Sequence, residues 1–309
     1  MHELPGAQED SLKSPSVAGH VPASRLAADA VLRLRAFPAR EGGGNPAGVV
    51  LSTAPEELTD AVMQATARWI GYSETAFIMD GPAAPGRRNY RVRYFSPASE
   101  VPFCGHATIA VGVALAQRTG PGDYVLETDA GPIAVRTVER DGEITAALTS
   151  AQPSVRAVDR KSLAAALGAI ARDEADLDPE IPPAVAYAGA WHLILAMRSR
   201  RTLTDLTYDY EWLRELSVRH GWVTVHVTFL ERPELHHVRA LFPYGGVVED
   251  PATGAGAAAY ACYLRSLGVL RGPTQLQILQ GEDLGQPCLL HVSIDATGPA
   301  VVTGTAVLV

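Results

Sequence analysis

The sequence predicts a mixed α+β protein of two pseudo-duplicated lobes, each a mostly antiparallel sheet curled around one buried helix. Three observations point there. Segments 105–120 and 254–268 match in kind: each is a glycine turn followed by a helix of almost uninterrupted small and apolar residues. A helix with no polar face must be enclosed on several sides, and its recurrence half a chain later reads as duplication. Many strand-like segments also follow one another without an intervening helix, which disfavours a doubly wound parallel sheet. Finally, 309 residues that are 47% apolar supply a real core for one large domain or two ordinary ones.

The elements follow in order. Residues 31–37 alternate and read as a strand. A glycine-rich loop, Glu41-Gly-Gly-Gly-Asn-Pro-Ala47, leads into a strand at 48–51. Thr53-Ala-Pro-Glu-Glu has the cap, early proline and acids of a helix start, so a helix is expected from there to about Trp69. Strands follow at 73–79 and 90–95, joined as a hairpin through the loop 81–88. After the first apolar helix come strands at 124–128 and 133–138. The second half reads as strands at 147–150, 191–197, 222–229 and 238–242, with amphipathic helices at 162–170 and 210–219. Beyond the second apolar helix, strands at 274–279, 289–294 and 301–308 close the chain. The first 29 residues mix Pro, Ser, Gly and charges without periodicity and read as a disordered tail, not a secretory signal.

Composition removes several function classes. A net charge of -8 argues against a nucleic-acid-coating protein. No apolar run approaches the ~20 residues a bilayer requires, so no membrane partner is expected. Three cysteines, 104, 262 and 288, cannot build a disulfide framework, and a reducing cytoplasm is expected. Only Lys13 and Lys161 stand beside 24 arginines, which disfavours lysine-based chemistry. There is no His-Glu-x-x-His, no Cys-x-x-Cys and no P-loop, and His236 and His237 point to opposite faces of a strand; no metal is expected.

The chemistry falls near the two glycine turns. Helix N-termini there offer unpaired N–H groups to an anion, although glycines also serve close packing. Glu74 shares a strand face with Ala76 and Ile78. A carboxyl there is costly unless it is paired or belongs to a site; a solvated sheet edge is the plain alternative. His106 opens the first helix as a cap, a substrate contact or a proton shuttle. Asp250 before Pro251 is a good N-cap that can also touch a ligand. Cys104, just before Gly105, is either a small buried residue or an activated thiol.

Five ordered motifs resemble the phenazine biosynthesis PhzF-like isomerases: Gly43-Gly44-Asn45-Pro46-Ala47-Gly48-Val49-Val50, Ser73-Glu74-Thr75-Ala76-Phe77, Arg93-Tyr94-Phe95-Ser96-Pro97, Glu100-Val101-Pro102-Phe103-Cys104-Gly105-His106-Ala107-Thr108 and Glu249-Asp250-Pro251-Ala252-Thr253-Gly254. Gln280-Gly281-Glu282 fits too, and the likeness runs from about residue 30 onward. It implies the diaminopimelate epimerase-like fold, with one lobe from 30–140 plus 289–309, the other from 141–288, and the site between them. It implies a cofactor-independent isomerase, usually a homodimer, in secondary metabolism such as antibiotic biosynthesis. Glu74 would take a proton from carbon and return it elsewhere on a conjugated, carboxylate-bearing small molecule. His106 and Asp250 would complete the catalytic group; Asn45, Ser73, Cys104, Gly105, Thr253, Gly254 and Ala255 would line the substrate. Ala255 stands where the family usually has Ser, so the family's dihydro-hydroxyanthranilic acid is not the expected substrate. Two other readings stay open. One is an amino-acid racemase or epimerase of the same fold, for which Cys104 has no second thiol as partner. The other is a non-catalytic small-molecule binder.

Overall fold

The structure, a computed structural model, describes residues 25–52, 54–80 and 88–309. The first half contains β1 (Leu32–Ala36), β2 (Asn45–Leu51), α1 (Asp60–Ile70), β3 (Glu74–Asp80), β4 (Arg88–Phe95), β5 (Glu100–Val101), α2 (Gly105–Thr119), β6 (Gly122–Thr128), β7 (Gly131–Arg140) and β8 (Glu143–Thr149). The second contains β9 (Ser154–Ala157), α3 (Arg160–Ala169), β10 (Ala184–Tyr187), β11 (Trp191–Ala196), α4 (Arg200–Thr204), α5 (Tyr210–His220), β12 (Thr224–Arg232) and β13 (Leu235–Leu241). It continues with β14 (Glu249–Asp250), α6 (Gly254–Ser266), β15 (Thr274–Gln280), β16 (Cys288–Ile294) and β17 (Ala300–Leu308).

Strand pairing closes the first half on itself. The ladder runs β1–β2–β3–β4–β6–β7–β8–β17 and returns to β1. β17 also pairs with β16, which pairs along its length with β15. From there the second sheet runs through β13, β12, β11 and β10 to β9. Most pairs are antiparallel. Each parallel pair spans a helical crossover: β2–β3 over α1, β4–β6 over α2, β11–β12 over α4 and α5, and β13–β15 over α6.

These crossovers show the duplication element by element. In each half an outer helix is followed by a hairpin and then an inner helix. The inner helices explain their composition: residues 106–116 of α2 and 256–264 of α6 are buried without a break. A single core cluster runs through both, and the two helices touch. Outside the sheets, α1 covers Val50, Phe77 and Phe95, while the second sheet's outer face carries a separate core with α3 and α5 residues. Gly112 marks how closely α2 fits: a Cβ there would lie 2.9 Å from Ala146 and from Val135. Gly112→Ala should therefore cost about 1–3 kcal/mol, read as a lowered urea midpoint with unchanged slope.

Register aligns the halves residue by residue. Phe95 pairs with Glu100 and Tyr94 with Val101, as Leu241 pairs with Glu249 and Ala240 with Asp250. Arg93 thus corresponds to Arg239, Glu100 to Glu249 and Val101 to Asp250. Past them, Cys104 corresponds to Thr253, Gly105 to Gly254 and His106 to Ala255. Glu74 and Thr224 each open the strand parallel to its predecessor.

Some expectations are corrected. The helix expected from Thr53 begins instead at Asp60, where Thr59 accepts a hydrogen bond from Val62 N at 3.3 Å. Pro55–Glu57 forms a separate 3-10 turn, after which buried Leu58 joins the core under α1. Residue 53 and the loop 81–87 lie outside the described residues, as do residues 1–24 of the expected tail. The rest of that tail is ordered against α1: Leu26 N donates to Thr66 Oγ1, and the Arg25 guanidinium stacks over Trp69. β9, β10 and α4 were not foreseen. β9 is an exposed edge strand with no alternation, and α4 has five residues, too few to show a period. Among the described residues no helix is long and apolar enough to cross a membrane.

Candidate active site

The alternation of β3 places Ala76 and Ile78 in the core around α2 and Phe77 in the core under α1. Glu74, in phase with Ala76, opens this strand on the α2 side. There it meets the first turn of the helix: His106 Nε2 lies 3.5 Å from Glu74 Oε2 and 3.4 Å from Ser73 Oγ. His106 Nδ1 lies 3.3 Å from Cys104 Sγ. The His106 side chain is 5% exposed and that of Glu74 18%, so the cluster is shielded yet reachable. Thr108 ties the turn down from below, donating to Cys104 O and hydrogen-bonding Tyr94 Oη, each at 2.6 Å.

The opposite side is built from β14 and α6. Asp250 Oδ1 accepts from Asn45 Nδ2 at 2.8 Å, and Asp250 Oδ2 from Thr253 Oγ1 at 2.7 Å. Asn45 crosses 205 positions of sequence to make that bond. It can reach because Gly44, at φ +100°, approaches Arg35 too closely for any side chain: a Cβ would lie 2.8 Å from that of Arg35. Gln280, fully buried, donates to Asp250 O at 2.6 Å and to Thr253 Oγ1 at 2.9 Å, and accepts from Thr253 N. Gln280 was recognised only within its motif and not as a site residue. Its signal, a polar side chain in phase with Leu276 and Ile278 on a strand, was there to be read.

Electrostatics joins the two sides. Burial pushes the Asp250 carboxyl above its usual range and the Glu74 charge adds to this, while the His106 charge and the Thr253 hydroxyl pull it back. Burial drives the Cys104 thiol well up, and the charges of Glu74 and Asp250 drive it further, so Cys104 is a thiol and not a thiolate. Gly105 and Gly254 begin α2 and α6, and neither helix has a side-chain cap, leaving both N-termini to offer main-chain N–H groups. Ala255 faces Gly189 in the β10–β11 turn, whose added Cβ would lie 4.0 Å away. This wall is small and without a hydroxyl. Every expected site residue thus falls at one of these two turns or on the strands beside them.

Glu74, Cys104 and His106 are also the only trio among the described residues whose metal-ligating atoms converge, within 4.8 Å of one another. A carboxyl, an imidazole and a thiol side by side are also groups that can hold and pass a proton.

The profile of the phenazine biosynthesis-like protein family PhzC-PhzF matches residues 34–309. The uncharacterized isomerase YfhB of Bacillus subtilis (strain 168) is 32% identical over 296 residues, 90% of this chain and 98% of its own length. The trans-2,3-dihydro-3-hydroxyanthranilate isomerase of Pseudomonas chlororaphis is 31% identical, covering 80% of this chain and 84% of its own. The crystal structure of a PhzF-family phenazine biosynthesis protein from Bacillus anthracis superimposes with a TM-score of 0.79 over 90% of this chain and 96% of the other, at 24% identity. The chain is an isomerase and belongs to the phenazine biosynthesis-like (PhzC-PhzF) family.

Proposed function

We propose that the protein moves a proton between carbons of a small conjugated substrate bearing a carboxylate, with Glu74 taking the proton and returning it. The observation that carries this reading is an asymmetry between duplicated halves. One half presents a carboxyl, an imidazole and a thiol at its helix N-terminus: Glu74, His106 and Cys104. The equivalent positions in the other half are Thr224, Ala255 and Thr253, none of which can exchange a proton with carbon near neutral pH. Asp250, the carboxyl on that side, has both oxygens engaged by Asn45 and Thr253, so the proton transfer is assigned to Glu74. One carboxyl beside one face of a planar, conjugated system acts as base and then as acid. That cycle restores Glu74 each turnover and needs no further group to hold the proton.

The remaining groups bind and polarise. The uncapped starts of α2 and α6 stabilise an anionic group of the substrate and the charge that develops as carbon loses its proton. His106 and Asp250 hold further polar groups, and Asn45, Thr253 and Gln280 keep the Asp250 carboxyl in place. A two-base amino-acid racemase would need a free second acid or base at the far helix, where Thr253 stands in the place of a thiol and the Asp250 carboxyl is held by Asn45 and Thr253.

Turnover of a substrate panel tests the reading. An isomerase converts a conjugated carboxylate to its double-bond isomer; a racemase instead inserts deuterium at Cα of an amino acid, and a binder does neither. Within the panel, trans-2,3-dihydro-3-hydroxyanthranilate should be a poor substrate because Ala255 offers no hydroxyl. Ala255→Ser should raise kcat/KM for it about tenfold. An equal or lower value would remove Ala255 as the cause of selectivity.

A further inference from the structure

The segment 280–287 straps the site from outside. At one end, Gln280 holds Asp250 and Thr253, and Gly281 sits against the main chain of Pro251, where a Cβ would lie 3.0 Å from Pro251 O. At the other end, Pro287 O accepts from Gly44 N and Ala39 N, each at 3.1 Å, beside Asn45. Between the ends, Gly281 O accepts from Leu284 N and Gln286 N, which makes the segment a compact turn. One strap therefore touches both chain segments whose side chains meet at Asp250.

The strap is anchored through Glu282. Glu282 Oε2 lies 2.6 Å from His237 Nδ1, and Glu231 Oε2 lies 2.7 Å from His237 Nε2. Carboxylates only accept, so both ring nitrogens must donate, and only an imidazolium does that. The first half has the same anchor in another residue. By the register of β4 with β6 and of β13 with β15, Arg91 corresponds to His237 and the β6–β7 turn to the strap. Arg91 pairs there with Asp129, and Ala130 N donates to Pro102 O, the counterpart of Pro251. An arginine cannot titrate in this range; a histidine does.

We infer that His237 is a positioning residue for Asp250: as an imidazolium between Glu231 and Glu282 it clamps the strap on the site, and it releases the strap when it loses its proton. The charged groups around it come from every neighbouring element: Glu231 on β12, Glu282 and Asp283 on the strap, and Arg200 on α4, which binds both strap acids. Phe229 on β12 packs beside the ring, and Leu279 on β15 pairs with His237. The hydrogen bond to Glu282, then that to Glu231, raises the His237 pKa; burial and the Arg200 charge oppose this. Because the folded value lies above that of a free histidine, the clamp is fully engaged below about pH 6.5 and is lost as pH rises through the folded value.

The consequence for turnover rests on the isomerase reading above, so the deciding readout does not use turnover. Amide exchange over 281–286, corrected for intrinsic rates, should quicken about tenfold as pH rises through the His237 titration. His237→Arg, which copies Arg91, should remove that dependence and keep the strap protected at high pH. Glu231→Gln, at a side chain 48% exposed, should shift the transition to lower pH without disturbing the fold. Imidazole nitrogen NMR at pH 6 should show both nitrogens of His237 protonated. A single protonated nitrogen, or the same pH profile in His237→Arg as in the parent chain, would overturn the inference. If exchange behaves as expected and no substrate turns over, the clamp stands and the isomerase reading fails.

Discussion

Glu74→Gln should lower kcat by roughly two to four orders of magnitude, the range general acid–base catalysis contributes, while leaving KM within a few-fold. The amide fills the same space beside His106 and Ser73 but neither accepts a proton from carbon nor returns one. Glu74 sits at the mouth of β3 with its side chain 18% exposed, outside the packed layer formed by Ala76 and Ile78. The urea midpoint should therefore stay within about 0.5 kcal/mol of the parent chain. A variant that keeps its fold and its substrate affinity but loses turnover assigns the proton to this carboxyl. A variant that keeps turnover as well moves the chemistry to Asp250 or His106.

The second large effect concerns stability. Arg239→Met should cost about 3–5 kcal/mol, because it leaves Glu249 buried without its partner. The Glu249 side chain is fully buried and meets the Arg239 guanidinium at 2.8 Å. Arg239 also donates to the carbonyls of Leu203, Thr204 and Leu206, so it stitches the end of α4 to β13 and β14. The duplicated pair provides the control. Arg93 and Glu100 meet in the same way at 2.6 Å, but both side chains reach solvent and Asp60 stands by as a second partner. Arg93→Met should cost about 1 kcal/mol or less. Glu249 adjoins Asp250, so Arg239→Met should also depress turnover, whereas an Arg239→Met, Glu249→Gln double variant should recover part of the stability. Equal losses at Arg93 and Arg239 in urea unfolding would contradict the burial argument.

The sequence made the inner helices legible because they lack any polar face, and enclosure is the only way to satisfy such a helix. It made Glu74 legible because strand alternation aligned a carboxyl with Ala76 and Ile78, and the structure puts those residues against α2. Asn45 could be read only through family likeness, since no local pattern announces a hydrogen bond that spans half the chain. The Arg–Glu pairs left a trace that went unread: Glu-x-Pro-x-x-Gly occurs at 100–105 and again at 249–254. Ring closure by β17 was legible only through family likeness, which placed 289–309 with the first lobe. It depends on pairing β17 with β1 and β8, and an alternating strand specifies its faces, not its neighbours.

Isomerisation in heavy water tests the central claim most directly, once a conjugated carboxylate substrate is turning over. The parent protein should place hydrogen or deuterium from Glu74 on the accepting carbon, with deuterium entering to the extent that the carboxyl exchanges with solvent. Glu74→Gln should leave substrate and product unlabelled over the same period. Deuterium entering at the parental rate in Glu74→Gln would show that another group carries the proton and would contradict the account.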